Sequence, residues 1–267
     1  MSKHQMDDFK IPEVLQDGGH ILVSKENHAS TIAWFEKYAG WQRNGQEFKE
    51  TFFTNTELGC GVSVYYNDLI VLPDVVKSNV RWCFKTPDLH KFHATLSENG
   101  EKVTEISRGP YGHDYFDFWV TDGVCLTAEG DPDIEEQELS HDWVRIGVSD
   151  LQKAKEWYIR YIGMSVLSEH PEEGYMVMGM DYTFQEGNEK HPFVVLEQLA
   201  EGSSTERKDE RKRPYYFVDN SAFMNYHRFL TEQGIPTSQI EGNTESLAIF
   251  HIFDPDGNRF NIRTFPM

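Results

Sequence analysis

The sequence predicts an α+β protein built from four copies of one βαβββ unit. Each copy begins with a short apolar strand, which leads into a helix ending at a glycine and then into further strand-like runs. In two copies the apolar stripe of the helix lies at the same distance from this glycine. Helical periodicity explains a stripe, whereas the shared distance indicates duplication. The two matching sets are Leu89, Phe92, Leu96 and Gly100, and Phe223, Tyr226, Leu230 and Gly234.

The elements follow in the same order in every copy. The opening strands are His20–Val23, Val80–Phe84, Trp143–Val148 and Tyr215–Val218. The predicted N-caps are Asn27, Asp88, Asp150 and Asn220, and the helices run to Gly40, Gly100, Gly163 and Gly234. An acidic stretch at 131–140 separates the second copy from the third. The sequence therefore predicts one domain at 18–130 and another at 141–267.

Charge and composition exclude several classes of partner. The chain of 267 residues has 44 acidic and 25 basic residues, and its net charge of −19 repels nucleic acid and anionic membranes. We therefore expect neither as a partner. No stretch is apolar enough to span a bilayer, and the first residues lack the apolar core of a secretory signal. Cys60, Cys83 and Cys125 show no paired spacing, so we expect a reducing, cytoplasmic location.

The last stretch, 250–265, predicts a hairpin. Pro255 and Gly257 suit its tight turn, and Phe260 and Ile262 face opposite to Asn261. This hairpin resembles the closing hairpin of the vicinal oxygen chelate superfamily, which includes glyoxalase I, extradiol dioxygenases and bleomycin-binding proteins. The resemblance extends from about residue 20 to residue 265. It implies four modules forming two glyoxalase-like half-open barrels, or one four-module body like that of the extradiol dioxygenases.

The resemblance also locates a metal site on the first and last strands of the modules. The last-strand position of the fourth copy holds Asn261, where the family usually has a Glu. Hard and borderline divalent ions prefer His nitrogen and carboxylate oxygen, and the other positions supply few of these. The candidate positions are His20, Ser63, Tyr65 or Tyr66, Val80 or Arg81, Thr127, Trp143, Glu197, Arg213 or Pro214, and Asn261. We therefore expect no metal or other cofactor. The alternative is one Fe, Mn, Zn or Ni ion held by His20, Glu197 and, with a shifted register, His141.

Aromatic side chains are the predicted ligand-binding residues. About half of the aromatic residues on the strands should belong to the core, because strand residues alternate between the two faces of a sheet. The remainder could stack on a planar ligand. The candidates are Trp82, Phe118, Tyr175, Tyr216 and Phe250. His251 lies on the third strand of its copy, close to the expected pocket, and is the candidate general acid or base, although a structural histidine with a satisfied ring is the more common case.

Three functional hypotheses follow, and they leave open whether the chain is an enzyme. The first is a glyoxalase- or bleomycin-resistance-like protein that binds a small planar or aromatic molecule in a cup-shaped pocket without the family metal. The alternative is a metal-dependent lyase, isomerase or extradiol-type dioxygenase with a displaced ligand set. The third is a structural or dimerisation role, so assembly as a homodimer also stays open.

Overall fold

The computed structural model describes residues 9–47, 49–54, 62–66, 79–109, 112–133, 140–180, 191–203 and 211–266. It confirms the α+β class, with curled half-barrel sheets and a helix after the first strand of each copy. Contacts divide the chain into two units. The first unit comprises Gly18–Ile146 and Asp209–Arg213, and the second comprises Met1–Asp17, Gly147–Lys208 and Pro214–Met267. The division into glyoxalase-like domains at 18–130 and 141–267 stays a prediction.

The first copy of the βαβββ unit pairs its first strand with its last. β1 runs parallel to β4, and β4, β3 and β2 follow one another as antiparallel neighbours. This register places His20 opposite Ser63. The elements are β1 (Val14–Val23), α1 (Lys25–Trp34), a π turn (Phe35–Ala39), β2 (Gln42–Glu47), β3 (Glu50–Thr54) and β4 (Val62–Tyr66).

The second copy repeats this pairing and accepts one further strand. β5 runs parallel to β8, which pairs with β7, and β9 adds to β5 as an antiparallel neighbour. Arg81 thereby lies opposite Arg145. The elements are β5 (Val80–Thr86), α2 (Leu89–Glu98), β6 (Ser107–Arg108), β7 (Asp114–Trp119), a 3-10 turn (Thr121–Gly123), β8 (Cys125–Gly130) and β9 (Ser140–Val148).

The second unit contains most of the third and fourth copies. In the fourth, β13 runs parallel to β16 and places Tyr215 opposite Asn261. The third copy continues from β9 with α3 (Leu151–Trp157), a π turn (Tyr158–Ile162), β10 (Ser165–His170), β11 (Tyr175–Met180) and β12 (His191–Gln198). The fourth has β13 (Lys212–Val218), α4 (Asn220–Glu232), β14 (Glu241–Asn243), β15 (Leu247–Phe253) and β16 (Arg259–Thr264).

Two predicted helix starts are wrong, and two are confirmed. Asp88 and Asp150 cap α2 and α3 as predicted. Helix α1 begins after Ser24, whose hydroxyl accepts the N–H of Asn27, and α4 begins after Asp219. In both helices a side-chain oxygen that accepts a backbone N–H stands before the predicted residue. Ser24 lies three residues before Asn27, and Asp219 lies one residue before Asn220. The predicted glycines all have positive φ angles. Of the described helices, none is both long and apolar enough to cross a membrane.

The core lies between the strands of each copy and its helix. The ring of Phe92 on α2 lies 5.8 Å from that of Phe116 and 5.7 Å from that of Phe118. On α4 the ring of Phe223 lies 5.0 Å from that of Phe250. The predicted stripes face these strands, as Leu96 and Leu230 are fully buried. One sheet face is therefore apolar in each copy.

The turn between β15 and β16 is buried and polar. Tyr158 donates its hydroxyl proton to Asp254 at 2.9 Å, and Asn258 donates its side-chain amide to Asp254 at 2.8 Å and to the Gly147 carbonyl at 3.2 Å. The backbone N–H groups of Asp256 and Asn258 also donate to Asp254. Burial nevertheless raises the pKa of the Asp254 carboxyl to about 6, because these bonds offset only part of the lost hydration.

This raised pKa makes stability depend on pH. Asp254 titrates at about 6 in the folded protein and at about 3.9 when unfolded. Its stabilising contribution is therefore fully present below the unfolded pKa and is lost as the pH rises through the folded pKa. We expect the stability of the native protein, relative to an Asp254→Asn variant, to fall by about 3 kcal/mol between pH of about 4 and 7. Urea unfolding at a series of pH values measures this difference.

The matched control is Asp150→Asn. Asp150 is an exposed cap whose pKa is lowered by hydrogen bonds from Lys153, so the corresponding difference should rise with pH. A difference between the native protein and Asp254→Asn that stays constant across this range would contradict the assignment.

Candidate functional site

Each copy leaves one face of its strands away from its own helix. We call this the inner face of the copy. In the second copy Phe116 and Phe118 face the helix, so Tyr115 and Asp117 lie on the inner face, because successive strand residues alternate. The inner face carries polar and charged side chains where the helix-facing side carries apolar ones.

A buried ion pair marks the inner face of the second copy. Arg145 on β9 donates to Glu129 on β8, and their side chains are 0% and 1% exposed. The Tyr115 ring lies beside two guanidinium groups, 5.3 Å from that of Arg145 and 5.2 Å from that of Arg81. A Cβ on Gly109 would lie 2.9 Å from the His113 carbonyl oxygen, so only glycine fits the backbone that closes over Arg145.

Further polar groups surround this pair. Thr127 donates to Asp117 at 2.6 Å, and the buried Lys212 ammonium donates to the Val80 carbonyl at 2.5 Å. Burial raises the pKa of the Cys125 thiol to about 11. The thiol therefore stays protonated near neutral pH and is a poor nucleophile.

The inner face of the first copy brings together a histidine and a carboxylate. His20 is buried, and its ring lies 5.1 Å from that of Tyr65. Ser63, opposite His20 on β4, donates to Glu50 on β3. His20 and Glu50 thus flank Ser63, and the predicted last-strand position is already hydrogen-bonded to a protein carboxylate.

Asn261 on the inner face of the fourth copy bridges two partners. Its side-chain amide donates to the Pro214 carbonyl at 3.2 Å, and its oxygen accepts from Arg259 Nε at 2.9 Å. Arg259 Nη2 lies 3.2 Å from His251 Nδ1. Since arginine only donates, His251 Nδ1 accepts, and the proton of the neutral ring lies on Nε2. His251, the predicted acid or base, therefore lies in a chain of hydrogen bonds with Arg259 and Asn261.

All five predicted ligand-binding aromatic residues lie in the core. Tyr175 is 4% exposed, and the other four are at most 1% exposed. Phe118 stacks on Trp34, Tyr216 lies 5.3 Å from Phe260, and Phe250 contacts the rings on α4. Tyr175 on β11 stacks on His170 at 4.4 Å. A ligand-binding role of these residues stays a prediction, and their packing favours a role in the core. The four that are at most 1% exposed are Trp82, Phe118, Tyr216 and Phe250.

The remaining metal candidates are not brought into one cluster in the described part of the chain. Glu197 lies on β12 opposite Tyr175 and is half-buried. His141 belongs to β9, but its side chain lies outside what the structure describes. Among the described residues, no three His, Cys, Asp or Glu side chains come close enough to hold a metal ion together.

Sequence reasoning missed the paired charge of Arg145 and Glu129 as a marker of the inner face. The sequence did indicate that Arg145 is buried and paired, because Arg145 interrupts an apolar run between Val144 and Ile146. A charge inside such a run is rarely buried unless it is paired. Glu50 carried no comparable signal, because it follows a charged stretch.

The fold and the inner faces define a tandem protein of βαβββ modules, and comparisons with known proteins agree. The family model of the Glyoxalase/Bleomycin resistance protein/Dioxygenase superfamily matches residues 140–262. No curated protein sequence matches the chain. The second half therefore matches this superfamily by sequence, and both halves have its fold. The predicted resemblance to the vicinal oxygen chelate superfamily is thereby confirmed.

Solved structures support the fold over nearly the whole chain. A V278E mutant of glyoxalase I from Zea mays aligns with a TM-score of 0.66 at 16% identity, covering 98% of this chain and 95% of that one. A putative dioxygenase from Bacillus subtilis aligns with a TM-score of 0.62 at 11% identity, covering 97% and 87%. At these identities the likeness establishes the fold and not the activity.

We expect Arg145→Met to destabilise the protein by about 3–5 kcal/mol, because Glu129 would keep a buried charge without its partner. The double variant Arg145→Met/Glu129→Leu should recover most of this loss, since an apolar pair replaces the ion pair. Urea unfolding measures both. The control Arg108→Met removes an exposed pair with Asp114 and should change stability little. A double variant as unstable as the single one would contradict this account.

We expect Asn261→Leu to cost about 1–3 kcal/mol, because the Pro214 carbonyl and Arg259 each lose a buried hydrogen-bond partner. Thermal or urea unfolding measures the loss. Asn225→Leu is the control, because Asn225 is exposed and its side-chain oxygen accepts from Arg228. Equal stability of the two variants would show that the hydrogen bonds of Asn261 to Pro214 and Arg259 do not stabilise the protein.

Proposed function

We propose that the chain is a glyoxalase- or bleomycin-resistance-like binding protein that holds a small planar molecule on its inner faces, without the family metal. The proposal rests on a cluster in which half-buried Arg81 and Tyr115 lie beside the buried pair of Arg145 and Glu129. This cluster presents flat guanidinium and aromatic groups where a metal-dependent relative would need ligand atoms.

The donor chemistry argues against a divalent ion at the family positions. Asn261 is engaged by Pro214 and Arg259, and Thr127 is engaged by Asp117. Glu129 is neutralised by Arg145. A dication would have to break these bonds and would be repelled by the neighbouring guanidinium groups. We therefore derive no reaction step through a metal.

The charge of the second copy's inner face selects the kind of ligand. Arg81, Arg145 and Lys212 carry three positive charges there, and Asp117 and Glu129 carry two negative ones. One net positive charge remains in a chain whose net charge is −19. Arginine binds carboxylates in a bidentate fashion and stacks on flat rings. A planar aromatic carboxylate is therefore the proposed ligand class.

His20 and Glu50 favour a second candidate function, a metal-dependent lyase, isomerase or dioxygenase. They flank Ser63 on one inner face and are the described pair that comes nearest to a ligand set. Two ligands hold a divalent ion less tightly than the three or more protein ligands of typical catalytic sites. The free thiol of Cys125 supports a reducing, cytoplasmic location under either function.

Two measurements test the proposal. The first is elemental analysis of the protein after exposure to Zn, Ni, Mn and Fe salts and removal of the excess, where we expect far less than one ion per chain. One tightly held ion, lost in His20→Ala but kept in His90→Ala, would support the metal-dependent candidate instead. His90 is the control because it is an exposed histidine on α2.

The second measurement is calorimetric titration with benzoate, using benzamide as the uncharged comparison. We expect Arg81→Gln to weaken benzoate binding by about tenfold, because a charge-assisted hydrogen bond is lost. Arg108→Gln, which removes an exposed arginine, should leave it unchanged. Benzoate affinity that is equal in the native protein and in Arg81→Gln would contradict binding on this inner face.

A further inference from the structure

A cleft outside the inner faces opens in the first unit. Its volume is about 610 Å³, within the range of ligand pockets. It lies between the end of α1 with its π turn and the turn that joins β7 to β8. Its lining includes Trp34, Lys37 and Tyr38 from the helix, and Lys102 and Trp119 from the opposite wall.

The second unit has a buried hydrogen bond at the corresponding positions. Tyr158, five residues before Gly163, donates to Asp254, three residues before Gly257, and the turn is buried. At the same distances from Gly40 and Gly123 the first unit has Phe35 and Val120. These two side chains cannot form that hydrogen bond. Thr121 is half-buried and Gly123 is exposed.

One wall of the cleft holds a buried donor. Trp34 is 7% exposed, and its Nε1–H has no hydrogen-bond partner among the described residues. The indole is fixed by stacking on Phe118, with ring centres 5.5 Å apart and planes within 6°. Burying an N–H without an acceptor is unfavourable, so a ligand oxygen that accepts the proton would be favoured.

The rim of the cleft holds cations above aromatic rings. The Lys102 ammonium lies 3.9 Å from the centre of the Trp119 ring, and the Lys37 ammonium lies 4.3 Å from that of Tyr38. Glu101 also lines the cleft, so two lysines and one glutamate leave one net positive charge. Rings and ammonium groups together suit a ligand that is flat at one end and anionic at the other.

We propose that this cleft is a second binding site, for an aromatic carboxylate. The carboxylate meets the lysine ammonium groups at the rim, and an oxygen accepts the Trp34 N–H. The aromatic ring of the ligand packs against Tyr38 and Trp119. This site is separate from the inner face of the second copy and does not depend on Arg81.

The test is calorimetric titration of the full chain with 2-naphthoate. We expect saturable binding that weakens by about tenfold in Lys102→Gln and in Trp34→Phe, which removes the N–H but keeps an aromatic ring. Two matched controls should bind as the native protein does. Trp157→Phe changes the corresponding residue of the second unit, six positions before Gly163, and Lys91→Gln changes an exposed lysine on α2.

The outcomes separate this site from the inner face. Binding that is lost in Arg81→Gln and unchanged in Trp34→Phe and Lys102→Gln overturns the cleft proposal while supporting the inner face. Absence of saturable binding also overturns it. Binding that weakens in Lys102→Gln alone still supports the cleft but contradicts the role of the indole N–H. Lys102 is exposed, so its replacement should not impair folding.

Discussion

Each βαβββ copy has one helix for four strands, and that helix can cover only one face of them. Because strand residues alternate between faces, this constraint divides every strand into an apolar half and an inner half. Phe116 and Phe118 pack under α2, while Tyr115 and Asp117 between them do not. The core and the candidate site therefore both follow from the alternation of strand residues. Residues next to each other along a strand belong to one or to the other.

The inner half must satisfy its own buried polar groups. Arg145 is fully buried, and a charge in such a place is tolerated only when paired, which assigns Glu129 to it. Asn261 meets the same requirement by joining Pro214 to Arg259. Two of the atoms engaged in this way, the Glu129 carboxylate oxygen and the Asn261 amide oxygen, are of the kind that can coordinate a metal ion. Internal hydrogen bonding and metal binding would therefore compete for the same two side chains.

The fold could be predicted from sequence further than the site could. The stripe of Leu89, Phe92 and Leu96 and its distance to Gly100 revealed the repeat, because both come from local geometry. The π turns could not be predicted, since they depend on packing after α1 and α3. Aromatic content suggested a ligand pocket, yet alternation alone does not say which face a helix covers. Phe250 and Tyr216 lie on the covered one.

Duplication explains how two similar units can differ in what they expose. Both place an aromatic residue of a π turn five positions before a glycine of positive φ, and both close with a turn ending in Asp-Gly. Tyr158 adds one hydroxyl, and Asp254 offers one carboxylate to accept its proton. Phe35 and Val120 have neither, so these two positions of the first unit cannot form that bond, and the cleft beside Trp34 lies next to its turn. A difference of two side chains thus decides whether these positions carry a buried hydrogen bond.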